Sequence, residues 1–204
     1  MTNFELTEDI SYVTGFIVGD GNISQSYIVR AVEENEEFIK EFAKIFFRAF
    51  GCVPKIYFDR YNNSFVAYKH SKQIWEYLAN IMNIPKGTKS RTVKVPEIIM
   101  NSSNKIKCLF LSGIFDAEGS VIKMKDAKHP NGYLKIQFKV HNNELAKQIY
   151  NMLRKLDFKP RLYEYNDFAM VNLHGRSQGK LFLQKIGFKH PAKNAKINAF
   201  LLTK

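Results

Sequence analysis

Cysteine is nearly absent: 204 residues carry two, Cys52 and Cys108, with no CxxC pair and no histidine at zinc spacing. That excludes a disulfide framework and a structural zinc site. Long apolar runs are missing as well, since no stretch approaches the roughly 20 residues that span a bilayer. The opening MTNFELTEDI is polar and acidic, not basic and then apolar. The expectation is an intracellular protein, cytoplasmic or nucleoid-associated, with an organelle as the other setting. Acidic residues are scarce: 19 Asp plus Glu stand against 31 Lys plus Arg, a net charge of +12. Such an excess favours a polyanionic partner, either nucleic acid or an anionic membrane surface. No basic amphipathic helix supports the membrane. The rest is ordinary, 45% hydrophobic and 25% charged, so the chain has the composition of a globular protein with a real core.

What the chain has is a repeat. Residues 12–23 read YVTGFIVGDGNI and residues 110–121 read FLSGIFDAEGSV; aligning Gly15 with Gly113 pairs Asp20 with Glu118 at an offset of 98. FGCVPKIY at 50–57 matches LDFKPRLY at 156–163, and IWEYLANIMNI at 74–84 resembles GKLFLQKIGF at 179–188, both near an offset of 106. Matches kept in order indicate duplication of a unit of roughly 100 residues. The expected organisation is an N-terminal repeat at 1–85, a basic linker at 86–105 and a C-terminal repeat at 106–204.

Each repeat reads as αββαββα, an α+β fold. An apolar helix comes first, with Gly21 or Gly119 expected as a left-handed residue after it. Alternating stretches follow at 26–32 and 133–140; Leu134, Ile136, Phe138 and Val140 alternate with Lys135, Gln137 and Lys139, the period of a half-buried strand. A helix with Phe38, Phe42, Ile45 and Phe46 on one face comes next, matched by Leu145, Ile149, Met152 and Leu153. Strands are expected at 53–59, 64–69, 160–165 and 168–173, and closing helices at 71–82 and 177–186. Arg30, Lys55, Tyr57 and Lys69 are expected to share one solvent-facing stripe, and Lys135, Gln137, Lys139, Arg161 and Tyr163 another, with Lys123 added nearby. Cations interleaved with Gln and Tyr suit phosphate contacts and base-edge hydrogen bonds in a major groove.

The two glycine-containing helices carry the chemistry. Gly15 and Gly19 lie four apart, and Gly113 and Ala117 repeat the pattern, so two backbones can approach closely. Glycine inside a helix costs about 1 kcal/mol relative to alanine, which marks the close approach as required. Paired about a pseudo-twofold axis, the helices bring Asp20 and Glu118 together at their C-terminal ends. Carboxylates are disfavoured there by the helix dipole, and a cation must compensate. Hard oxygen ligands select magnesium, calcium or manganese. A metal on carboxylates beneath a basic sheet points to phosphodiester hydrolysis.

VTGFIVGDG at 13–21 and LSGIFDAEG at 111–119 resemble the two signature helices of the LAGLIDADG homing endonucleases, in their monomeric two-repeat form. GTKSRTVKVPEII and IGFKHPAKNAKI are also similar to archaeal members. The resemblance implies a saddle of two curved antiparallel sheets on double-stranded DNA with a long target site. It implies Asp20 and Glu118 as the catalytic acids and metal ligands, with the carbonyls of Gly19 and Ala117 as accessory ligands. The cofactor implied is Mg2+ or Mn2+, with Ca2+ supporting binding without cleavage, and both strands are cut across the minor groove to leave staggered ends.

Two departures stand out. Val18 occupies the position of the first signature acid, whose counterpart Asp116 is therefore read as incidental. The family also implies a lysine or glutamine near the end of each repeat's second strand, above the metals. Here the stretches read Val32-Glu33-Glu34 and Val140-His141-Asn142, leaving Lys139, Lys123 or His141 to serve. The alternative is an intron RNA maturase, or a DNA-binding protein of the same fold that has lost cleavage.

Overall fold

The structure, a computed structural model, describes residues 4–127 and 129–202. The first repeat contains α1 (Glu8–Val18), β1 (Gly21–Ile23), β2 (Ile28–Glu33), α2 (Glu36–Phe50), β3 (Lys55–Asp59), β4 (Ser64–His70) and α3 (Lys72–Glu76). A short α4 (Glu97–Met100) precedes the second, which contains α5 (Asn104–Glu118), β5 (Gly119–Asp126), β6 (His129–Val140), α6 (Asn143–Lys155), β7 (Arg161–Glu164), β8 (Ala169–His174) and α7 (Gly175–Lys185); α8 (Pro191–Leu202) follows. Both sheets are antiparallel, with the orders β1-β2-β4-β3 and β5-β6-β8-β7. Two sheets with the same order and the same helix positions make the duplication structural.

Local chemistry sets the helix starts in the same way in both halves. Asn35 accepts from the Phe38 N–H at 2.8 Å and Asn142 from the Leu145 N–H at 3.0 Å, the side-chain caps of α2 and α6. These helices are amphipathic, and Phe38, Phe42 and Phe46 in one, Leu145, Ile149 and Leu153 in the other, pack into the core. In contrast, α1 is buried from Ile10 to Val18 on every side, as a helix apolar all round must be.

Its burial comes from α5. A Cβ on Gly15 would stand 2.1 Å from the Phe110 carbonyl oxygen, and one on Gly113 would stand 2.0 Å from that of Tyr12. The contacts are reciprocal, Gly15 with Phe110 and Gly113 with Tyr12, which is what a pseudo-twofold axis through the crossing requires. Two core helices therefore form the joint between the halves.

Several expectations change. Gly21 and Gly119 are not left-handed residues: neither is among the positive-φ glycines, and each opens a strand. Glycine is needed there for space, since a Cβ on Gly119 would meet the Phe115 carbonyl oxygen at 2.3 Å. The helix expected at 71–82 is a single turn-and-a-half, α3, passing into a π-helical turn at Tyr77–Ile81. Helix α8 has no counterpart in the αββαββα reading. Its apolar residues show little periodicity, and its main purchase is against β5 and α7.

Candidate functional site

Asp20 follows the end of α1, and Glu118 is the last residue of α5. The two helix ends close on each other at Gly19, where a Cβ would fall 2.4 Å from the Ala117 Cβ and 3.1 Å from the Glu118 Cγ. The Asp20 carbonyl accepts the Val32 N–H at 3.1 Å, tying the end of β2 to the same point. Burial and the neighbouring Asp20 charge push the Glu118 carboxyl up to about 7, against the pull of Lys89 and Lys193. Asp20 is reachable from solvent, yet desolvation by the surrounding protein raises its carboxyl too, with Lys193 and Lys89 opposing the rise and Glu33 adding to it. Two acids that resist ionisation together form a site that attracts cationic charge.

Two lysines supply part of it. Lys89, only 7% exposed, donates from Nζ to the carbonyls of Val18 at 2.8 Å and Gly19 at 2.6 Å. Lys193 donates to the carbonyls of Phe115 at 3.3 Å, Ala117 at 3.0 Å and Asp116. Each ammonium thus caps the carbonyl end of one signature helix, where the dipole favours a cation. The two are crossed: Lys89 caps α1 and lines a pocket with Glu118, whereas Lys193 caps α5 and lines a cleft with Asp20. Desolvation lowers the pKa of both, and the site carboxylates resist that fall. Both ammonium groups sit beside the acids although neither lysine lies at a strand end. They come from outside the repeats' sheets, within GTKSRTVKVPEII and IGFKHPAKNAKI, the two stretches similar to archaeal members.

Asp116 is not incidental. It is fully buried, and its Oδ2 accepts from the Tyr12 hydroxyl at 2.6 Å and the Lys189 N–H at 2.9 Å, while Oδ1 accepts the His190 N–H at 3.1 Å. Burial raises its carboxyl, and these donors work against that rise. Asp116 therefore clamps the segment that starts α8 and delivers Lys193. The loop bearing Lys89 is held otherwise, by Gly87 N–H to the Ile23 carbonyl and Asn22 Nδ2 to the Gly87 carbonyl, both 2.9 Å, and by Asn142 Nδ2 on the Val93 carbonyl at 2.7 Å. Lys89, Ser90 and Val93, from the stretch read as a basic linker, line the pocket beside Glu118.

Residues 105–187 match the family model of the LAGLIDADG-like domain, and residues 10–95 match that of the WhiA LAGLIDADG-like domain. The chain belongs to the LAGLIDADG family. Homing endonuclease I-ApeI from Aeropyrum pernix is 24% identical over 200 residues, covering 93% of this chain and 87% of that protein. A structure of I-DmoI with DNA and manganese superimposes with a TM-score of 0.63 at 17% identity, covering 90% of this chain and 98% of that one. A Methanocaldococcus jannaschii glutamine–fructose-6-phosphate aminotransferase is 24% identical over 203 residues, 96% of this chain but only 18% of that longer protein.

The strand pairing decides which side chains a LAGLIDADG sheet presents on its open face. In the first sheet Asn22, Arg30, Tyr68 and Lys55 lie in one row across four strands, and Val32, Val66 and Tyr57 lie in the next. Arg30, Lys55 and Tyr57 are exposed there, as expected. Lys69 is not in that stripe. It pairs with the core residue Val29 and shares its face, and Tyr68 and His70 take the open positions. In the second sheet Lys135, Gln137 and Lys139 share the open face with Arg161 and Tyr163. Lys123 does not: it pairs with buried Leu134, on the face covered by α8, and lines a pocket with Lys196 and Phe200. Gln137 Nε2 donates to Asn172 Oδ1 at 3.1 Å, a cross-strand amide pair that periodicity alone did not reveal.

Among the described residues no three His, Cys, Asp or Glu side chains gather to hold a metal ion. The available oxygen donors are the Asp20 and Glu118 carboxylates and the Gly19 and Ala117 carbonyls, and the carbonyls already accept from lysine. Each carbonyl oxygen keeps a second lone pair. A sparse set of hard oxygens fits magnesium, which retains waters and takes substrate phosphate oxygens.

Proposed function

We propose that the chain is a site-specific DNA endonuclease that hydrolyses both strands of a long duplex target as a monomer. The observation that carries this reading is the crossed arrangement of Asp20, Glu118, Lys193 and Lys89 at the paired helix ends. It lies between two sheets whose open faces carry Arg30, Lys55, Lys135, Lys139 and Arg161. The net charge of +12 supports a polyanionic substrate, and the structural neighbours include I-DmoI, solved with DNA and manganese or calcium.

Asp20 and Glu118 would hold Mg2+ or Mn2+, which supplies Lewis acidity and lowers the pKa of bound water. The protein's own residues do the rest. Burial and mutual repulsion keep the two carboxylates poised to take up a dication and lose their protons. Lys89 and Lys193, fixed on carbonyls and unable to relax into solvent, hold positive charge beside the phosphates, where negative charge builds as the water oxygen attacks. Preorganised positive charge of this kind is worth about 3 kcal/mol. The open-face cations hold the duplex, and Gln137, Asn172 and the tyrosines supply polar groups for base edges.

The test is incubation with a pool of duplex targets in magnesium or manganese, followed by sequencing of cut ends. Cleavage is expected, and Asp20→Asn or Glu118→Gln should abolish it while DNA binding survives; calcium should support binding alone. Wild-type cutting by either variant would overturn the assignment. A second reading, a nucleic-acid binder that does not cleave, is favoured by the match of residues 10–95 to the WhiA domain. It is also favoured by the acidic pair Glu33 and Glu34 beside Asp20, and it predicts binding without cut ends in every metal.

A further inference from the structure

Strand β3 lies at one edge of the first sheet. It pairs with β4 on one side, and among the described residues no strand pairs with its other side. Lys55, Ile56, Tyr57 and Phe58 are all exposed, so neither face of β3 is covered. An uncovered edge presents unpaired N–H and C=O groups to any further strand. Lys55 and Tyr57 belong to the open face of the sheet, whereas Ile56 and Phe58 lie on the face that α2 packs against. Even there Ile56 is 38% and Phe58 45% exposed, and beside them Phe47 of α2 is 49% and Val53 62% exposed. Phe47, Val53 and Ile56 line a groove of about 360 Å³ between α2 and β3.

The duplicate half serves as an internal control. Aligning FGCVPKIY with LDFKPRLY sets Val53 against Lys159 and Phe58 against Glu164, and counting from the caps Asn35 and Asn142 sets Phe47 against Arg154. Glu164 is moreover tied to Lys147 at 2.9 Å. The fold therefore accepts charge at all three positions, and the apolar side chains of the first half answer to a partner. The cations around the groove do not ask for an acidic one. Lys40 is met by Glu36 at 2.7 Å, Lys44 by Glu41 at 3.1 Å and Arg48 by Asp9 at 3.0 Å. The edge strand is instead its own complement. KIYFD laid antiparallel on a second KIYFD about Tyr57 sets Lys55 opposite Asp59 and Ile56 opposite Phe58, each pair twice. Residues 55, 57 and 59 share one face and 56 and 58 the other, so charge meets charge and apolar meets apolar. Asp59 is fixed for this by accepting the Tyr61 N–H at 3.0 Å and Asn62 Nδ2 at 2.8 Å. Strand β7 lacks the property, since centring it on Tyr163 sets Leu162 against Glu164.

We propose that β3 pairs antiparallel with β3 of a second copy of this chain about a twofold axis at Tyr57, joining two four-stranded sheets into one. Phe58 of each copy covers Ile56 of the other at the mouth of its groove, and Phe47 and Val53 border the contact. The axis runs perpendicular to the sheet, so both open faces stay on the same side. Each chain keeps its own Asp20 and Glu118, so pairing completes no site. It sets two whole sites side by side, able to hold two duplex segments at once. The pairing does not depend on the endonuclease reading.

The experiment is sedimentation of the full chain without DNA over a range of concentrations. A small strand-on-strand contact is of the weak, transient class, so the chain should be monomeric at about 1 μM and mainly dimeric at about 500 μM. Phe58→Glu, which installs the residue of the duplicate half, should stay monomeric throughout. So should Lys55→Glu and Asp59→Lys, each of which sets like charges opposite one another twice. Mixed in equal amounts, those two charge variants restore both opposite-charge pairs and should dimerise with each other. A wild-type chain that stays monomeric overturns the proposal, as does a dimer that survives both Phe58→Glu and Lys55→Glu. Failure of the mixture to dimerise, with both variants folded, overturns it too. If Asp59→Lys melts early, Lys55→Glu decides: a lost dimer at an unchanged melting temperature supports the proposal, and a wild-type dimer overturns it. A chain that stays monomeric yet binds a fluorescent polyglutamate peptide gives the groove to an acidic segment of another protein and overturns the second copy as its occupant.

Discussion

The two halves share strand order, helix caps and the reciprocal glycine crossing, but they hold their lysines by unrelated means. In the first half a loop pinned by backbone bonds and by Asn22 and Asn142 carries Lys89 onto α1. In the second, a buried carboxylate, Asp116, grips the start of an added helix that carries Lys193 onto α5. Duplication has preserved the ammonium at each helix end while the scaffolding behind it diverged. The carbonyl end of a buried helix imposes that requirement on both halves, whereas many local solutions satisfy it.

The crossing tests how far the symmetry goes. Gly15→Ala and Gly113→Ala each force a methyl into a backbone carbonyl that cannot retreat, and each should cost about 3 kcal/mol. Thermal melts should then fall by roughly 6–12 °C, and unequal losses would show that the joint is less symmetric than its contacts. Asp116→Val installs the residue found at position 18 and leaves the Tyr12 hydroxyl and two N–H groups unanswered. Destabilisation of about 2–4 kcal/mol is expected in denaturant titrations. Little loss would mean that α8 is held elsewhere.

On activity, Lys89→Met and Lys193→Met should each slow cleavage by about 100-fold or more, with duplex affinity nearly unchanged. A defect in only one variant would show that a single centre cuts. Glu118 supplies a pH test. Its folded pKa of about 7 exceeds the ordinary 4.5, so the folded state holds the proton more tightly than the unfolded state. Metal-free stability should fall as pH rises between those values and level off above. Stabilisation by magnesium should grow across the same window, because the ion needs the carboxylate; melts with and without chelator would show it. A magnesium shift independent of pH would remove Glu118 from the ligand set. The smallest effects belong to the open faces: Arg30→Ala and Arg161→Ala should each reduce the salt slope of DNA affinity by about 1 if they contact phosphate. A shallower slope from only one would assign backbone contact to one half and base reading to the other.

Much of the fold was legible in the residues. Repetition of a glycine helix ending in an acid exposed the duplication, and alternation at 133–140 exposed a strand whose inward residues are the core. The meeting of Asp20 and Glu118 at the helix ends was legible for the same reason, because glycines four apart in a buried helix have few uses other than close approach. The lysines were not. They act on carbonyls, which every residue has, so even within GTKSRTVKVPEII and IGFKHPAKNAKI nothing marks Lys89 or Lys193 out from the neighbouring lysines. Lys69 and Lys123 were misplaced because a period of two identifies two faces without saying which one a helix covers. Only pairing with Val29 and Leu134 decided that.

The amino-acid order by itself determined the duplicated unit, the paired helices and the acids at their ends, since these follow from local periodicity and from the steric demand of glycine. Tertiary structure alone decided which cations reach those ends and that Asp116 holds α8. Those relations join residues far apart in the chain, where no local period records them and only packing brings charge to charge.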